Sequence, residues 1–194
     1  MVTLTYAHGY APLSVELSHL DVILARFTKR GDWSRFQKRN GIVGYAVTQE
    51  ITYNATGWNA HIHLVLVLSS ACTTAGAQTL QEAITQRWCS AAAWTGHEAA
   101  ERRQTYSWMR PGFDAADMAE YVTKQNLLHR APESARGRYP ADLLVGGAAG
   151  DAGDLDLYRE YLDAVKGRAP IRAHGRLSPH RVLDFDELLR AGAA

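Results

Sequence analysis

The first residues, Val2-Thr3-Leu4-Thr5-Tyr6, alternate apolar and β-branched polar side chains, the period-two pattern of a strand with one buried face. The pattern starts abruptly, as a strand already in progress, and a chain trimmed at its N-terminus is the expectation it raises. From Ser14, a candidate N-cap, the period becomes helical, with Val15, Leu17, Leu20, Ile23, Leu24 and Phe27 along one stripe. A second strand is expected over 43–53 and a third over 61–68, joined as a hairpin through the turn-forming Asn54, Gly57 and Asn59. Thr73 or Thr74 opens an amphipathic helix through Leu80, Ile84 and Trp88 that ends near Gly96. A fainter strand pattern covers 103–109, and beyond Pro111-Gly112 the side chain of Asp114 can cap a helix over 115–128. Gly146-Gly147-Ala148-Ala149-Gly150 reads as a flexible break, followed by a helix over 155–166 and a basic, proline-containing tail.

Strand, helix, strand, strand, helix, strand, helix is an order without continuous βαβ repetition. It predicts an α+β fold, a central antiparallel β-sheet with flanking helices of the ferredoxin-like or RRM-like palm type. The expected division is a domain over 1–145 and an appendage over 146–194 that packs on it or extends it. With 194 residues, 46% of them hydrophobic, the chain can bury a core of ordinary single-domain size. The apolar run from Leu64 to Leu68 is too short for a membrane span, and no basic segment with an apolar leader follows Met1, so a cytoplasmic protein is expected. Cys72 and Cys89 lack the paired spacing of a zinc site or disulfide framework and are expected as reduced thiols.

A net charge of +1 argues against a protein that merely coats nucleic acid, because such binding draws on many phosphate neutralisations. The distribution of charge says more. Arg26, Lys29, Arg30, Arg35, Lys38 and Arg39 crowd the segment before the second strand, and acids gather at Asp151, Asp154, Asp156 and Glu160. Lys29, Arg30, Arg35, Lys38 and Arg39 are candidate DNA contacts; the same pattern also suits a solvated helical face. Trp33 and Phe36, set among these bases, could stack on unpaired bases or fill the core.

Candidate chemistry begins at His61-Ile62-His63. Residues two apart on a strand point the same way, so both imidazoles share a face. Neutral imidazole is a common ligand for divalent metals, and two leave room for a third protein donor and for substrate oxygens. Pairing Glu50 with His63 and Thr52 with His61 across the hairpin would bring the carboxylate to that face; a slip of one residue would turn it away. Two histidines and a carboxylate suit Mg2+ or Mn2+, with zinc or iron able to compete. Within Asp117-Met118-Ala119-Glu120-Tyr121-Val122-Thr123-Lys124, helical spacing sets Asp117, Tyr121 and Lys124 on one face.

Together these segments resemble the HUH endonucleases, and among them the rolling-circle plasmid replication initiators with a single catalytic tyrosine. Val2-Thr3-Leu4-Thr5 is similar to the family's first motif, Glu50 with Thr52-Tyr53-Asn54 and His61-Ile62-His63 to its second, and Tyr121-Val122-Thr123-Lys124 to its third. Tyr158-Arg159-Glu160-Tyr161 and Lys166-Gly167-Arg168 are similar to a later segment of actinobacterial plasmid initiators. The resemblance implies metal binding by His61 and His63, with Glu50 as third ligand, and attack by Tyr121 on single-stranded or hairpin origin DNA. The products would be a 5′-phosphotyrosyl protein and a free 3′-hydroxyl, with Lys124 stabilising charge and Asp117 placed to activate water. Asp117 stands where some initiators carry a glutamate. Host helicase and polymerase would follow as partners, since no Gly-rich Lys-Ser/Thr nucleotide loop is present. A transposase or mobilisation relaxase of the same superfamily is the nearest alternative, and a catalytically silent single-strand-binding palm the alternative of a different class.

Overall fold

The computed structural model describes residues 1–108 and 137–178. Their elements are β1 (Val2–Leu4), α1 (Leu13–Phe27), α2 (Asp32–Arg39), β2 (Ile42–Asn54), β3 (Gly57–Leu68), α3 (Thr74–Trp94), β4 (Thr105–Tyr106), α4 (Pro140–Ala148), α5 (Ala152–Val165) and β5 (Ile171–Gly175). The fold is α+β: a single five-stranded sheet in the order β4-β1-β3-β2-β5, every neighbouring pair antiparallel, flanked by helices. Among the described residues no helix is long and apolar enough to cross a membrane.

Strand alternation divides the sheet into two unlike faces. Val2, Leu4, Val47, Ile51, Ile62 and Leu64 turn inward and join one core with the apolar stripes of α1 and α3. Trp88 of α3 is fully buried there, and its indole Nε1 donates to the carbonyl of Thr5 at 2.7 Å. Helix α3 starts as expected, with Thr73 Oγ1 accepting from Gly76 N at 3.1 Å. Helix α1 does not. Ser14 is not its cap: the helix begins after Pro12, and the unsatisfied Leu13 N–H donates instead to Glu160 Oε1 of α5, 2.7 Å away. Arg168, beyond α5, pairs with Asp21 of α1 at 2.5 Å, so α5 is tied to α1 both at mid-helix and just past its C-terminus.

The hairpin is tighter than expected. Asn54 pairs directly with Gly57, and Asn54 Oδ1 accepts from Thr56 N at 2.8 Å to close the turn. Gly57 takes a φ of +94°, where a side chain would be strained and a Cβ would meet the Gly9 carbonyl at 2.7 Å. Asn59 is therefore a strand residue opposite Thr52, not part of the turn.

The C-terminal third differs most from expectation. Gly146 and Gly147 are not a flexible break but helical residues of α4, and the division expected at 145/146 falls inside that helix. Pro140 supplies the first helical position and Asp142 Oδ2 accepts from Tyr139 N at 2.9 Å, so the helix starts firmly. The glycines serve packing: a Cβ on Gly147 would lie 3.1 Å from Leu155 Cα, and one on Gly146 would collide with the Asp154 carboxylate. The turn comes at Gly150, with φ +102°, and α5 starts at Ala152 with Asp151 as its cap, earlier than the periodicity indicated. Residues 171–175, expected as tail, pair with β2 as the edge strand β5. The strand expected over 103–109 shrinks to two residues behind a short 3-10 turn at Glu101–Arg103.

Candidate metal centre

The outer face of the sheet carries the polar residues that the inner face excludes. His61 and His63 project there from β3, flanked by Thr3 and Thr5 from the β1 side and by Thr48 and Glu50 from β2. The register pairs Glu50 with His61 and Thr48 with His63, two residues from the pairing expected. A two-residue shift preserves the face, so Glu50 still joins both imidazoles. The shift comes from the two-residue turn, which moves the hairpin's centre toward β2.

Each group is held by named partners. His63 Nε2 donates to Glu50 Oε2 at 2.9 Å, and His63 Nδ1 lies 3.0 Å from Thr3 Oγ1. His61 Nδ1 lies 3.2 Å from Thr5 Oγ1. Thr5 is itself clamped, its N–H donating to Gln104 Oε1 at 2.8 Å while its carbonyl accepts from Trp88 and Gln104. That clamp links the helical core to the histidine face. Tyr139 donates its phenolic proton to Glu50 Oε1 at 2.7 Å. It is placed by its neighbour Arg138, whose backbone bridges Tyr53 and whose guanidinium pairs with Asp154 of α5.

Burial pushes the His61 imidazole down to about 4; Glu50 opposes the shift, and His63 and His8 add to it. His61 is therefore neutral at pH 7, the form that ligates metal. Burial alone would raise Glu50, but the hydrogen bonds from His63 and Tyr139, with the charges of His63 and His61, hold it below the usual carboxylate range.

Several polar atoms on or beside this face have no partner among the described residues. Among the described residues, both ring nitrogens of His8, the hydroxyls of Thr48 and Thr52, and Asn59 Oδ1 are buried without a hydrogen bond. Unpaired buried polar atoms are costly, and their concentration here, beside His61, marks a place built for something polar. Two ligands at right angles on an ion with bonds of about 2.1 Å stand about 3 Å apart. The His63 Nε2 to Glu50 Oε2 separation of 2.9 Å has that span, and an ion placed there would replace the proton the pair now shares. His61, His63 and Glu50 thus fit a hard divalent ion in donor type and in this one edge. Among the described residues no three His, Cys, Asp or Glu side chains converge closely enough to form a complete metal-holding group.

Tyr121, Asp117 and Lys124 lie outside the described residues. Lys29, Arg30, Arg35, Lys38 and Arg39 are brought together on and before α2, but on the helical side of the sheet rather than the histidine face. Arg35 is engaged with Asp32 at 2.5 Å. Trp33 and Phe36 are core residues, stacked on each other with centroids 5.4 Å apart, and so are withdrawn from base stacking. Sequence reasoning missed Tyr139 as a partner of Glu50, and His8. Tyr139-Pro140-Ala141-Asp142 does carry a helix-start signal, yet nothing local to it points at Glu50. No family model, curated protein or solved structure matches this chain.

Proposed function

We propose that this chain is a metal-dependent DNA-nicking and joining endonuclease that initiates rolling-circle plasmid replication, with Tyr121 as nucleophile. The observation that carries the reading is the single polar face on which His61, His63 and Glu50 gather, with His61 neutral and unpartnered polar atoms around them. The sheet order supports it: β1 and β2 run parallel with β3 between them and β4 lies on the other side of β1, an order compatible with a split βαβ palm.

A bound Mn2+ or Mg2+ would polarise the scissile phosphate. His61 and His63 would hold it, and Glu50 would add the charge that favours a hard ion. Thr3 and Thr5 fix the ring orientations through Nδ1, and Tyr139 orients the carboxylate. Tyr121 attacks phosphorus, the bond to the 3′-oxygen breaks, that oxygen takes a proton, and a 5′-phosphotyrosyl link remains. One ester replaces another, so a second hydroxyl can reverse the step without ATP. Lys124 would balance developing charge and Asp117 would act as base toward water when the adduct is released.

The test incubates the protein with labelled single-stranded and hairpin oligonucleotides and Mn2+, and looks for a denaturant-resistant adduct mapped by peptide sequencing. An Mn2+-dependent adduct on Tyr121, lost in Tyr121→Phe and weakened with Mn2+ affinity in His61→Ala and His63→Ala, is expected. Asp117→Ala should form the adduct but resolve it slowly. An adduct on Tyr139 would move the nucleophile to the tyrosine that already touches Glu50. DNA binding without any adduct would leave a silent single-strand-binding palm, and strand transfer confined to transposon ends or transfer origins would favour a transposase or relaxase.

A further inference from the structure

On the far side of the sheet, α1, α2 and α3 surround a cavity of about 530 Å³ into which Arg26, Arg39 and Arg87 all project. None of the three forms an ion pair among the described residues. The one carboxylate in the wall, Asp32, is already bound by Arg35 at 2.5 Å. Three guanidiniums around one space repel each other, a cost that Asp32 and the neighbouring aromatic rings offset only in part.

Arg87 is fixed rather than waving in solvent. Its Nε donates to the Phe27 carbonyl at 2.7 Å, and its guanidinium lies 5.5 to 5.7 Å from the rings of Phe36, Trp33 and Phe27. The terminal nitrogens have no hydrogen-bond partner within the described residues. Arg26 is held over Trp94 at 4.5 Å. Burial lowers the affinity of Arg87 for its proton; Asp32 opposes this, and Arg26 and Arg39 add to it. Arg26 and Arg87 are half-buried cations held close together, and the exposed Arg39 joins them at the cavity wall. A planar guanidinium fork matches a tetrahedral oxyanion in two hydrogen bonds, and three of them call for more than one negative charge.

We infer that the Arg26, Arg39 and Arg87 cavity binds a phosphate group, carried either by a free nucleotide or polyphosphate or by a nucleic-acid strand. The site stands apart from the histidine face and does not depend on the nicking reading. Of the basic cluster before β2, Arg26 and Arg39 belong to it, and Arg87 of α3 completes it.

The test is calorimetric titration of the full chain, in EDTA and low salt, with pyrophosphate and separately with a dT oligonucleotide. Arg39→Gln and Arg26→Gln are compared with the parent, each checked for fold by circular dichroism. Neither side chain is fully buried, so the fold should survive. Each variant is expected to weaken binding about tenfold, the size of one charge-assisted contact. Pyrophosphate binding that is lost in the variants, with oligonucleotide affinity unchanged, assigns the cavity to a free phosphate ligand. A parallel loss for both probes assigns it to a strand. No binding of either probe at millimolar concentration, or affinities indifferent to both substitutions, would overturn the inference.

Discussion

The two faces of the sheet are made by the same strands and differ only in parity, yet they are finished in opposite ways. On the helical face, Ile62 and Leu64 are fully buried and the Trp88 indole has a partner, while the Trp33 and Trp58 indole nitrogens lie in the core with none among the described residues. On the other face, the residues alternating with them are His61 and His63, and the hydroxyls of Thr48 and Thr52 lie buried with no partner among the described residues. Native interiors rarely leave such groups unpaired. One face supplies the folding free energy, and the other spends part of it to hold polar groups in place. Placing both on one hairpin makes the site rigid, because every histidine has a core residue on each side along the strand.

The largest effect should come from breaking the helical face. Trp88→Ala removes a fully buried ring and a hydrogen bond to Thr5, and should cost about 3 to 5 kcal/mol in urea unfolding. A loss under about 1 kcal/mol would mean that the core does not rest on this residue. Next comes acidification. His61 is lowered from 6.5 to about 4, so the unfolded chain takes up a proton across that interval before the folded one does. Stability is fully present above pH 6.5 and is lost as pH falls toward 4, by about 3 kcal/mol from this group. Glu50, also lowered, acts in the same direction at the acid end. His61→Gln should flatten the slope between pH 6.5 and 4, and an unchanged slope would place its source elsewhere.

These faces were unequally legible. Alternation in Val2-Thr3-Leu4-Thr5 and the two-residue spacing of the histidines show which side chains share a face, and the stripes of α1 and α3 give the helices that cover the other. What stays hidden is whatever a distant segment decides. The register depended on turn geometry, the cap of α1 on Glu160, and the orientation of Glu50 on Tyr139. Strand β5 escaped notice because an edge strand with exposed residues lacks a hydrophobic signature. The Gly146-Gly147 pair was misread because glycine permits close helix packing as readily as flexibility. Tyr121, the residue most directly named by resemblance, lies outside the described residues.

Tyr139→Phe sharpens the comparison on the polar face itself. The phenol donates to a carboxylate, and removing it should cost about 1.5 kcal/mol and raise the acid midpoint assigned to Glu50, since that hydrogen bond holds the carboxyl down. Urea unfolding at pH 7 and an NMR titration of Glu50 read the two consequences. No change in either would mean that the contact is not maintained in solution.

The smallest effect has the most to say about the asymmetry. Thr48 and Thr85 are both partly or wholly buried threonines, but Thr85 Oγ1 hydrogen-bonds the Tyr106 hydroxyl on the helical side, whereas the Oγ1 of Thr48, a residue 1% exposed, bonds nothing among the described residues. Valine has nearly the same shape and lacks only the hydroxyl. Thr85→Val should therefore lose about 1 kcal/mol, while Thr48→Val should leave stability unchanged or raise it by up to about 1 kcal/mol, because the desolvated hydroxyl is no longer carried. Paired thermal unfolding curves without metal make the comparison. A loss in Thr48→Val equal to that in Thr85→Val would show that this hydroxyl has a partner in solution, and the polar face would then be as complete as the helical one. Repeating the pair with Mn2+ separates two sources of such a partner. If the loss in Thr48→Val grows with metal concentration while that in Thr85→Val stays fixed, the hydroxyl serves the ion's surroundings, and if neither responds, its role is confined to the strand.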